Sequence, residues 1–345
     1  MCLRVKKKRM SKWKKYTISV LLLLVVTTVA YGGYFFIHVY NAATEAYEEI
    51  ERPDGNSELR NTAVNIGKEP TSLLLIGVEN YATSGENGRA DSLIVVTLNP
   101  KTANVTITSI PRDTRVEFTE EEAGKYAGTH KINAAYSYGS MNDYGANKLT
   151  VEKVEQLLNI PIDEYVTVNF DGFRDLVNAL GGVTVDIKEP FWEKDIYAGG
   201  ERIYFEKGEK KLNGEEALAF VRMRKREVNN IYSRDERQRQ FIEATIDEAI
   251  STNTLFKVGE ISKILGKNVT TSLSPTEIFQ LQHVYSSINT AKIKSFELEG
   301  EGQIIDRIYY FVPSEEGLDN ISNILKQELE LAAQEDSDDI EIKNN

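Results

Sequence analysis

The sequence predicts an α/β fold: a three-layer α/β/α domain with a mixed central sheet, preceded by one N-terminal transmembrane helix. Three observations predict it. From residue 70 onward, short runs rich in β-branched residues alternate with segments of helical spacing. From Tyr16 to Thr44 there is no Asp, Glu, Lys or Arg. The chain of 345 residues is 41% hydrophobic and 27% charged, which excludes collagen-like, wholly disordered and polytopic membrane classes.

At the N-terminus, residues 1–15 hold eight cations between Arg4 and Lys15 and no acid, a cytoplasmic basic tail by the positive-inside rule. Residues 16–40 are the expected transmembrane helix. Its apolar heart, Ile18 to Val39, would span roughly 33 Å at the helical rise, enough for a hydrocarbon core of about 30 Å. That length, and the aromatic residues Tyr34, Phe35, Phe36 and Tyr40 at its end, favour an uncleaved anchor over a cleaved signal peptide. Residues 41–69 are polar, carry a Pro53-Asp54-Gly55 turn and read as a juxtamembrane linker. Residues 70–330 form the extracytoplasmic domain, and 331–345 an acidic disordered tail.

Net charge is −12 with the basic tail included, so the body repels phosphate backbones and nucleic-acid binding is excluded. The one cysteine, Cys2, precludes an internal disulfide and a cysteine-based zinc cluster.

Within the domain, Ser72–Val78, Ser92–Leu98 and Val105–Ile110 read as strands, the last two joined through Asn99-Pro100-Lys101-Thr102 as a hairpin. Asn147–Leu158 has its apolar residues at helical spacing. Tyr165–Phe170 and Val183–Ile187 read as strands flanking a helix that Gly181-Gly182 ends. Helices are expected over Arg234–Ser251, Phe256–Gly266 and Pro275–Ile288, with a late strand at Ile293–Leu298. This order implies helices on both faces of a mixed sheet.

Against the acidic background, cations gather in four places: Arg89; Arg112 and Arg115; His130 and Lys131; and the run from Arg222 through Arg224 to Arg234, Arg237 and Arg239. If extended, the chain at Arg222 and Arg224 would present both guanidinia on one face. Arg234, Arg237 and Gln238 share a helix face. Two rows of planar donors suit a diphosphate. Glu79 follows the first strand and Asp91 precedes the second, so adjacent strands would bring both carboxylates to one sheet edge, where Mg2+ with substrate phosphates needs one or two. Exposed ion pairing for the arginines, and a turn role for Asp91, are the structural alternatives. No HExxH, Walker A, GxGxxG or GxSxG pattern occurs, and His130 reads as a structural or rim residue. A clamp and a metal site without a protein nucleophile suit displacement at phosphorus by a bound hydroxyl.

In order, the segments LLLIGVE, GRADSL, SIPRDTRV, HKINAAYSYG, NFDGFRDLVNALGGVTVDI, LNGEEALAFVRMR and RDERQRQ resemble the LytR-CpsA-Psr family of Gram-positive cell envelopes, over roughly residues 70–255. The resemblance implies a membrane-anchored phosphotransferase that moves a glycopolymer from a polyprenyl-pyrophosphate carrier to a peptidoglycan hydroxyl. It also implies an apolar tunnel for the lipid. It assigns Asp91 as a Mg2+ ligand, with Glu79 where the family usually has Asp. Arg89, Arg112, Arg222, Arg224, Arg234 and Gln238 match pyrophosphate-binding groups, and Arg115 and Lys131 match further contacts. Asp91, Arg112 and Arg222 are the expected catalytic set. Ile231 stands where the family usually has an acid. A pyrophosphatase, or a non-catalytic anchored binder or regulator of lipid-linked intermediates, are the alternative functions.

Overall fold

The computed structural model describes residues 32–34, 36–53, 55–79, 87–223, 228, 231–249, 263–264, 266–285 and 293–331. The first strands, β1 (Thr71–Glu79), β2 (Arg89–Asn99) and β3 (Asn104–Ile110), form an antiparallel meander. Asn99 Oδ1 accepts from the Lys101 and Thr102 amides and so makes the predicted β2–β3 turn. A small hairpin, β4 (Arg115–Phe118) with β5 (Gly128–Lys131), leads to helices α1 (Ala134–Met141) and α2 (Ala146–Leu158). Strand β6 (Glu164–Asn169) runs parallel to β1. Helix α3 (Phe170–Leu180) follows, with Asn169 accepting from the Gly172 amide at its start and Gly181 at φ 90° ending it.

Then come β7 (Val183–Ile187), β8 (Phe191–Lys194), β9 (Arg202–Phe205) and β10 (Gly208–Leu212), in which β7 pairs with β10 and β8 with β9. Val183–Ile187 is therefore a strand as expected, but it stands outside the central sheet. Helices α4 (Gly214–Arg222) and α5 (Arg234–Ala249), strand β11 (Val269–Thr271), helix α6 (Pro275–Tyr285), strand β12 (Ile293–Glu297), the hairpin of β13 (Gly300–Ile305) with β14 (Ile308–Pro313), and helix α7 (Glu315–Glu328) complete the domain. Most of the helix expected over 256–266 lies outside the described residues.

The central sheet has the order β11-β6-β1-β2-β3-β12, mixed as predicted: β1 with β6 and β3 with β12 are parallel, and the other pairs antiparallel. Alternation along the strands divides the core. Leu74, Ile76 and Val78 of β1 join Leu93 and Val95 of β2 in a cluster with Val151, Val154 and Leu158 of α2 and Ile321 and Leu325 of α7. On the opposite face, Leu73, Ile94, Val96 and Ile107 meet Ile242 of α5 and Ile278 and Leu281 of α6. Each such side chain contributes about 1.5–3 kcal/mol on full burial. The two clusters place helices on both sides of the sheet.

The segment expected to be a linker is packed instead. Residues 36–46 are helical, and Ala42, Ala43 and Ala46 are buried. Tyr47 bridges to Thr271, and the Glu48 amide donates to the Thr271 carbonyl, extending the sheet edge at β11. Ile50, Ser57 and Ile66 are buried, and two ion pairs with little solvent contact, Arg52–Glu155 at 3.0 Å and Arg60–Asp163 at 2.7 Å, tie the segment to the loop between α2 and β6 and to α2 itself. Asp163 also accepts from the Ser72 amide, so this carboxylate binds strap and β1 together. No helix among the described residues is long and apolar enough to cross a membrane. Most of the expected transmembrane segment 16–40 and all of the basic tail lie outside the described residues, as do residues 332–345 of the acidic tail.

Candidate functional site

A cavity of about 380 Å³ opens at one end of the sheet, on the face covered by α3, α4 and α5. Its depth is apolar, built from Leu75, Ile94, Val166 and Val168 of the strands and Phe173, Leu176, Leu218, Phe241 and Ile242 of the helices. Its polar wall is Asp91, Ser92, Arg112, Arg222, Arg234 and Gln238. Cavities of this size hold small ligands or part of a longer one. A charged mouth on a deep apolar interior suits an amphipathic anion.

Asp91 owes its position to a bulge. Val78 pairs with Ala90 and Gly77 with Ser92, which leaves Asp91 as the extra residue on β2 and turns its carboxylate into the cavity. Gly77 leaves room there, since a Cβ on it would come 3.0 Å from Ser92 Cβ. Arg112, just beyond β3 and Pro111, places Nη1 2.5 Å from Asp91 Oδ2. Its buried Nε makes no hydrogen bond and lies 3.7 Å from Asp113 Oδ2. Asn133 closes this cluster: its side chain donates to Asp91 Oδ1 at 3.4 Å, its amide to the Arg112 carbonyl, and its carbonyl accepts from the Ala90 amide. Asn133 lies in the HKIN segment, but an amide that joins two strand ends has no signature in sequence.

The cations on the helical side are arranged differently from expectation. Arg222 is the last residue of α4 rather than part of an extended run, because Asn213 and Glu216 form a capping box that starts a helix and carries it to Arg222. For Arg222 helical geometry therefore replaces the expected strand face, and Arg224 lies outside the described residues. The Arg222 guanidinium stands 5.4 Å over the Phe170 ring, a partner for a cation that still has donors to spare. Beside it, Tyr197 has its ring 3.7 Å from the Arg174 guanidinium. Its hydroxyl is pushed up to about 12 by burial first and then by its hydrogen bond to Asp171, and so remains a protonated donor.

Arg234 and Gln238 both reach the cavity from α5. Gln238 accepts from Ser92 Oγ at 3.3 Å and donates to the Val221 carbonyl at 3.4 Å, linking β2 to α4. Arg237, on the same turn, does something else. It is fully buried, and its guanidinium donates to the carbonyls of Phe220, Met223 and Tyr232. The first two are acceptors that the end of α4 leaves without helical partners, the third lies just ahead of α5, and a cation there also opposes the negative end of the α4 dipole. Arg237 is thus a positioning residue for Arg222, and neither surface pairing nor ligand binding describes it. Its burial is not readable from a segment as charged as RDERQRQ.

The remaining expected residues stand around the mouth. Glu79 ends β1 on the same strand face as Gly77, opposite Arg89 in register, and neither residue lines the cavity. Lys131 and Arg115 face each other across β4 and β5, with Lys131 Nζ 2.8 Å from Asp113 Oδ1. Arg115 is exposed. Ile231 is 73% exposed and so replaces the expected acid with a residue turned to solvent. His130 packs edge-on against Tyr138 with ring centroids 5.3 Å apart, as a structural residue.

No cluster of three or more His, Cys, Asp or Glu occurs among the described residues, so the protein offers no closed metal cage there. Asp91 does fit an oxygen-ligated divalent cation of the kind that relies on one or two carboxylates and takes its other ligands from substrate phosphate and water. Its side chain reaches the cavity and keeps partial exposure despite the pair with Arg112.

Residues 33–327 match the LytR_cpsA_psr family. A polyisoprenyl-teichoic acid–peptidoglycan teichoic acid transferase, TagV of Bacillus subtilis strain 168, is 42% identical over 311 residues, covering 89% of this chain and 77% of that protein. A TagU of the same enzyme name from Halalkalibacterium halodurans is 38% identical over 325 residues, 92% of this chain and 100% of that one. Among solved structures, the crystal structure of B. subtilis TagV aligns with a TM-score of 0.64 at 43% identity, over 76% of this chain and 98% of that chain. TagT bound to LI-WTA aligns with a TM-score of 0.64 at 30% identity, over 82% and 99%.

Proposed function

The chain belongs to the LytR-CpsA-Psr family, and from that premise we propose that it is a glycopolymer transferase. In this reading it takes a glycopolymer from a polyprenyl-pyrophosphate carrier and joins it to a peptidoglycan hydroxyl. The observation that carries the reading is the union of an apolar cavity with a cationic mouth: Arg112, Arg222 and Arg234 surround one end of a pocket whose depth is lined by Val166, Val168, Phe173, Phe241 and Ile242. A polyprenyl chain would bury its hydrocarbon there and leave its diphosphate among the guanidinia, whose forked donors match phosphoryl oxygens.

The attacking acceptor hydroxyl forms a new P–O bond at the glycan-bearing phosphorus and gives up its proton, which the departing phosphate takes up. The bond from that phosphorus to the bridging oxygen breaks, and polyprenyl phosphate leaves with the bridging oxygen and its electron pair. Arg112 and Arg222, fixed by Asn133 and Arg237, hold the phosphates still and oppose the charge that grows on the leaving oxygen. The buried Arg112 Nε, with no hydrogen bond of its own, is a donor ready for such an oxygen. Asp91 would hold Mg2+, which when bound would neutralise diphosphate charge, while Glu79 stands outside the cavity lining. The domain would work at the outer membrane surface, carried by the 16–40 segment with its N-terminus in the cytoplasm.

The experiment is incubation of the full chain in membranes with polyprenyl-pyrophosphate-linked glycopolymer and uncrosslinked peptidoglycan, followed by measurement of polyprenyl phosphate and of glycan-linked polymer. The expected result is equal release of both. Polyprenyl phosphate released with free glycopolymer phosphate would instead make it a pyrophosphatase, and binding without release a non-catalytic sensor.

A further inference from the structure

A second cavity, of about 450 Å³, lies on the other side of the same sheet end. Side chains alternate along a strand, so Gly77 and Val168 line the first cavity while their neighbours Val78, Thr167 and Asn169 line the second. Its chemistry is of another kind. Three carboxamides (Asn87, Asn169 and Asn268) and the hydroxyls of Tyr136, Ser140 and Thr270 make most of its wall. Lys267 is the one charged residue among the described residues that line it, and no carboxylate does so.

The wall is built rather than incidental. Ser137 Oγ donates to the Gly88 carbonyl at 2.6 Å and Ser140 Oγ to Asn87 Oδ1 at 2.9 Å, so α1 holds residues 87–88 in place and the Asn87 carboxamide keeps its N–H donors for another partner. Asn87 takes φ 49°, a left-handed conformation that asparagine tolerates better than most side chains. Gly88 is pressed against the end of β1: a Cβ there would lie 2.6 Å from Val78 Cγ1 and 2.7 Å from the Glu79 carbonyl oxygen. In the floor, Thr167 donates to Asn147 Oδ1 at 2.7 Å, and Asn147 donates to the Tyr165 hydroxyl at 3.2 Å. The Tyr136 and Thr270 hydroxyls have no hydrogen-bond partner among the described residues.

Amides and hydroxyls in excess, one aromatic ring, one cation and no carboxylate do not suit a lipid, a metal ion or a polyanion. They suit a ligand with many hydroxyls and little charge. We infer that this recess is a saccharide subsite, holding a sugar unit against Tyr136 while carboxamides and hydroxyls exchange hydrogen bonds with its ring substituents. The recess adjoins the reaction site along the start of β2, since Gly88 walls the recess and Asp91, three residues on, the first cavity. A glycan seated there would pass over the sheet end toward Asp91 and Arg112. The inference deepens the transferase reading and rests on it for the role of the sugar, but the binding itself does not require transfer.

The test is calorimetric titration of the full chain in detergent, without carrier lipid, with two probes: an uncrosslinked peptidoglycan glycan-strand oligosaccharide, and the glycopolymer released from its carrier. Ser140→Leu fills the recess from a helix position that favours leucine, and Thr270→Val removes a hydroxyl from a strand position that favours valine. Each variant is expected to weaken saccharide binding at least tenfold while leaving polyprenyl diphosphate affinity unchanged. Loss confined to the glycan-strand probe assigns the subsite to the acceptor, and loss confined to the released polymer assigns it to the donor. Saccharide binding equal in wild type and both folded variants, or no binding of either probe by wild type, overturns the inference. Failure of transfer with these binding results intact would refute the transferase reading and leave the subsite standing.

Discussion

Replacing Arg237 tests how the cationic mouth is held. The guanidinium is fully buried and donates to three backbone carbonyls, of Phe220, Met223 and Tyr232. Methionine fills similar volume and offers no donor, so Arg237→Met strands two acceptors at the end of α4 and one just ahead of α5. A hydrogen bond from a charged group is worth about 1.5–3 kcal/mol, and removing one partner leaves the other to bear its desolvation. Three such bonds would sum to more than 4 kcal/mol. Against this stands the desolvation of the guanidinium itself, which the methionine no longer has to meet, so the expected net loss is about 3–4 kcal/mol. Arg237→Lys keeps the charge but cannot span three carbonyls with one ammonium, and its loss should fall at about 2 kcal/mol. Urea unfolding followed by tryptophan fluorescence gives both values, and polyprenyl diphosphate titration below the transition should show at least tenfold weaker binding as Arg222 loses its support. If Arg237→Met unfolds at the same urea concentration as wild type with an unchanged slope, the three carbonyls have other partners and the positioning role is wrong.

Arg112→Ala and Arg222→Ala should each weaken polyprenyl diphosphate binding by about 1.5–3 kcal/mol, with the fold retained; lost thermal stability at unchanged affinity would return these residues to structural ion pairing. Asp91→Ala should abolish the Mg2+ dependence of transfer, whereas Glu79→Asp should keep it, and a magnesium titration of product formation separates the two. Glu164 sits beneath the strap, its pKa raised to about 7 by burial first and then by Glu277 and Asp163, against a lowering hydrogen bond with Ser272. A raised carboxyl stabilises the fold fully below its unfolded pKa, near 4.5, and that stability is lost as pH rises through 7. Glu164→Gln should therefore gain on the order of 2 kcal/mol over wild type at pH 8 and nothing at pH 4, read from unfolding free energies at the two pH values.

Much of the sheet was legible because its strands are apolar runs bounded by turn residues: Asn99 through Thr102 marked the β2–β3 turn, and Gly181 the end of α3. Asp91, Arg112, Arg222, Arg234 and Gln238, taken from separate segments, line one cavity. Arg222 suggests a strand face by periodicity alone, since a two-residue alternation at the end of a helix looks extended unless the Asn213 cap is weighed against it. Residues 41–69 read as a linker in sequence because their buried groups are few and irregular. Ala42, Ala43, Ala46, Ile50 and Ile66 make no stripe, and Arg52 and Arg60 find their carboxylates about a hundred positions away, at Glu155 and Asp163. Asn133, Arg237 and the second recess depend on contacts between elements distant in sequence, which local pattern does not encode.

The strap at Tyr47 and Glu48 has a consequence for how this enzyme tolerates being cut. β11 is three residues long and forms the outer margin of the sheet, and its Thr271 carbonyl is taken by the Glu48 amide. A chain begun at residue 70, where the sequence suggests the domain starts, would bare that margin and leave Glu155 and Asp163 without their arginines. An open strand edge beside uncovered apolar surface is a template for self-association. The soluble fragment worth making therefore starts before Ala42, and one that starts later should gather into oligomers through β11 even if every residue of the cavity is present.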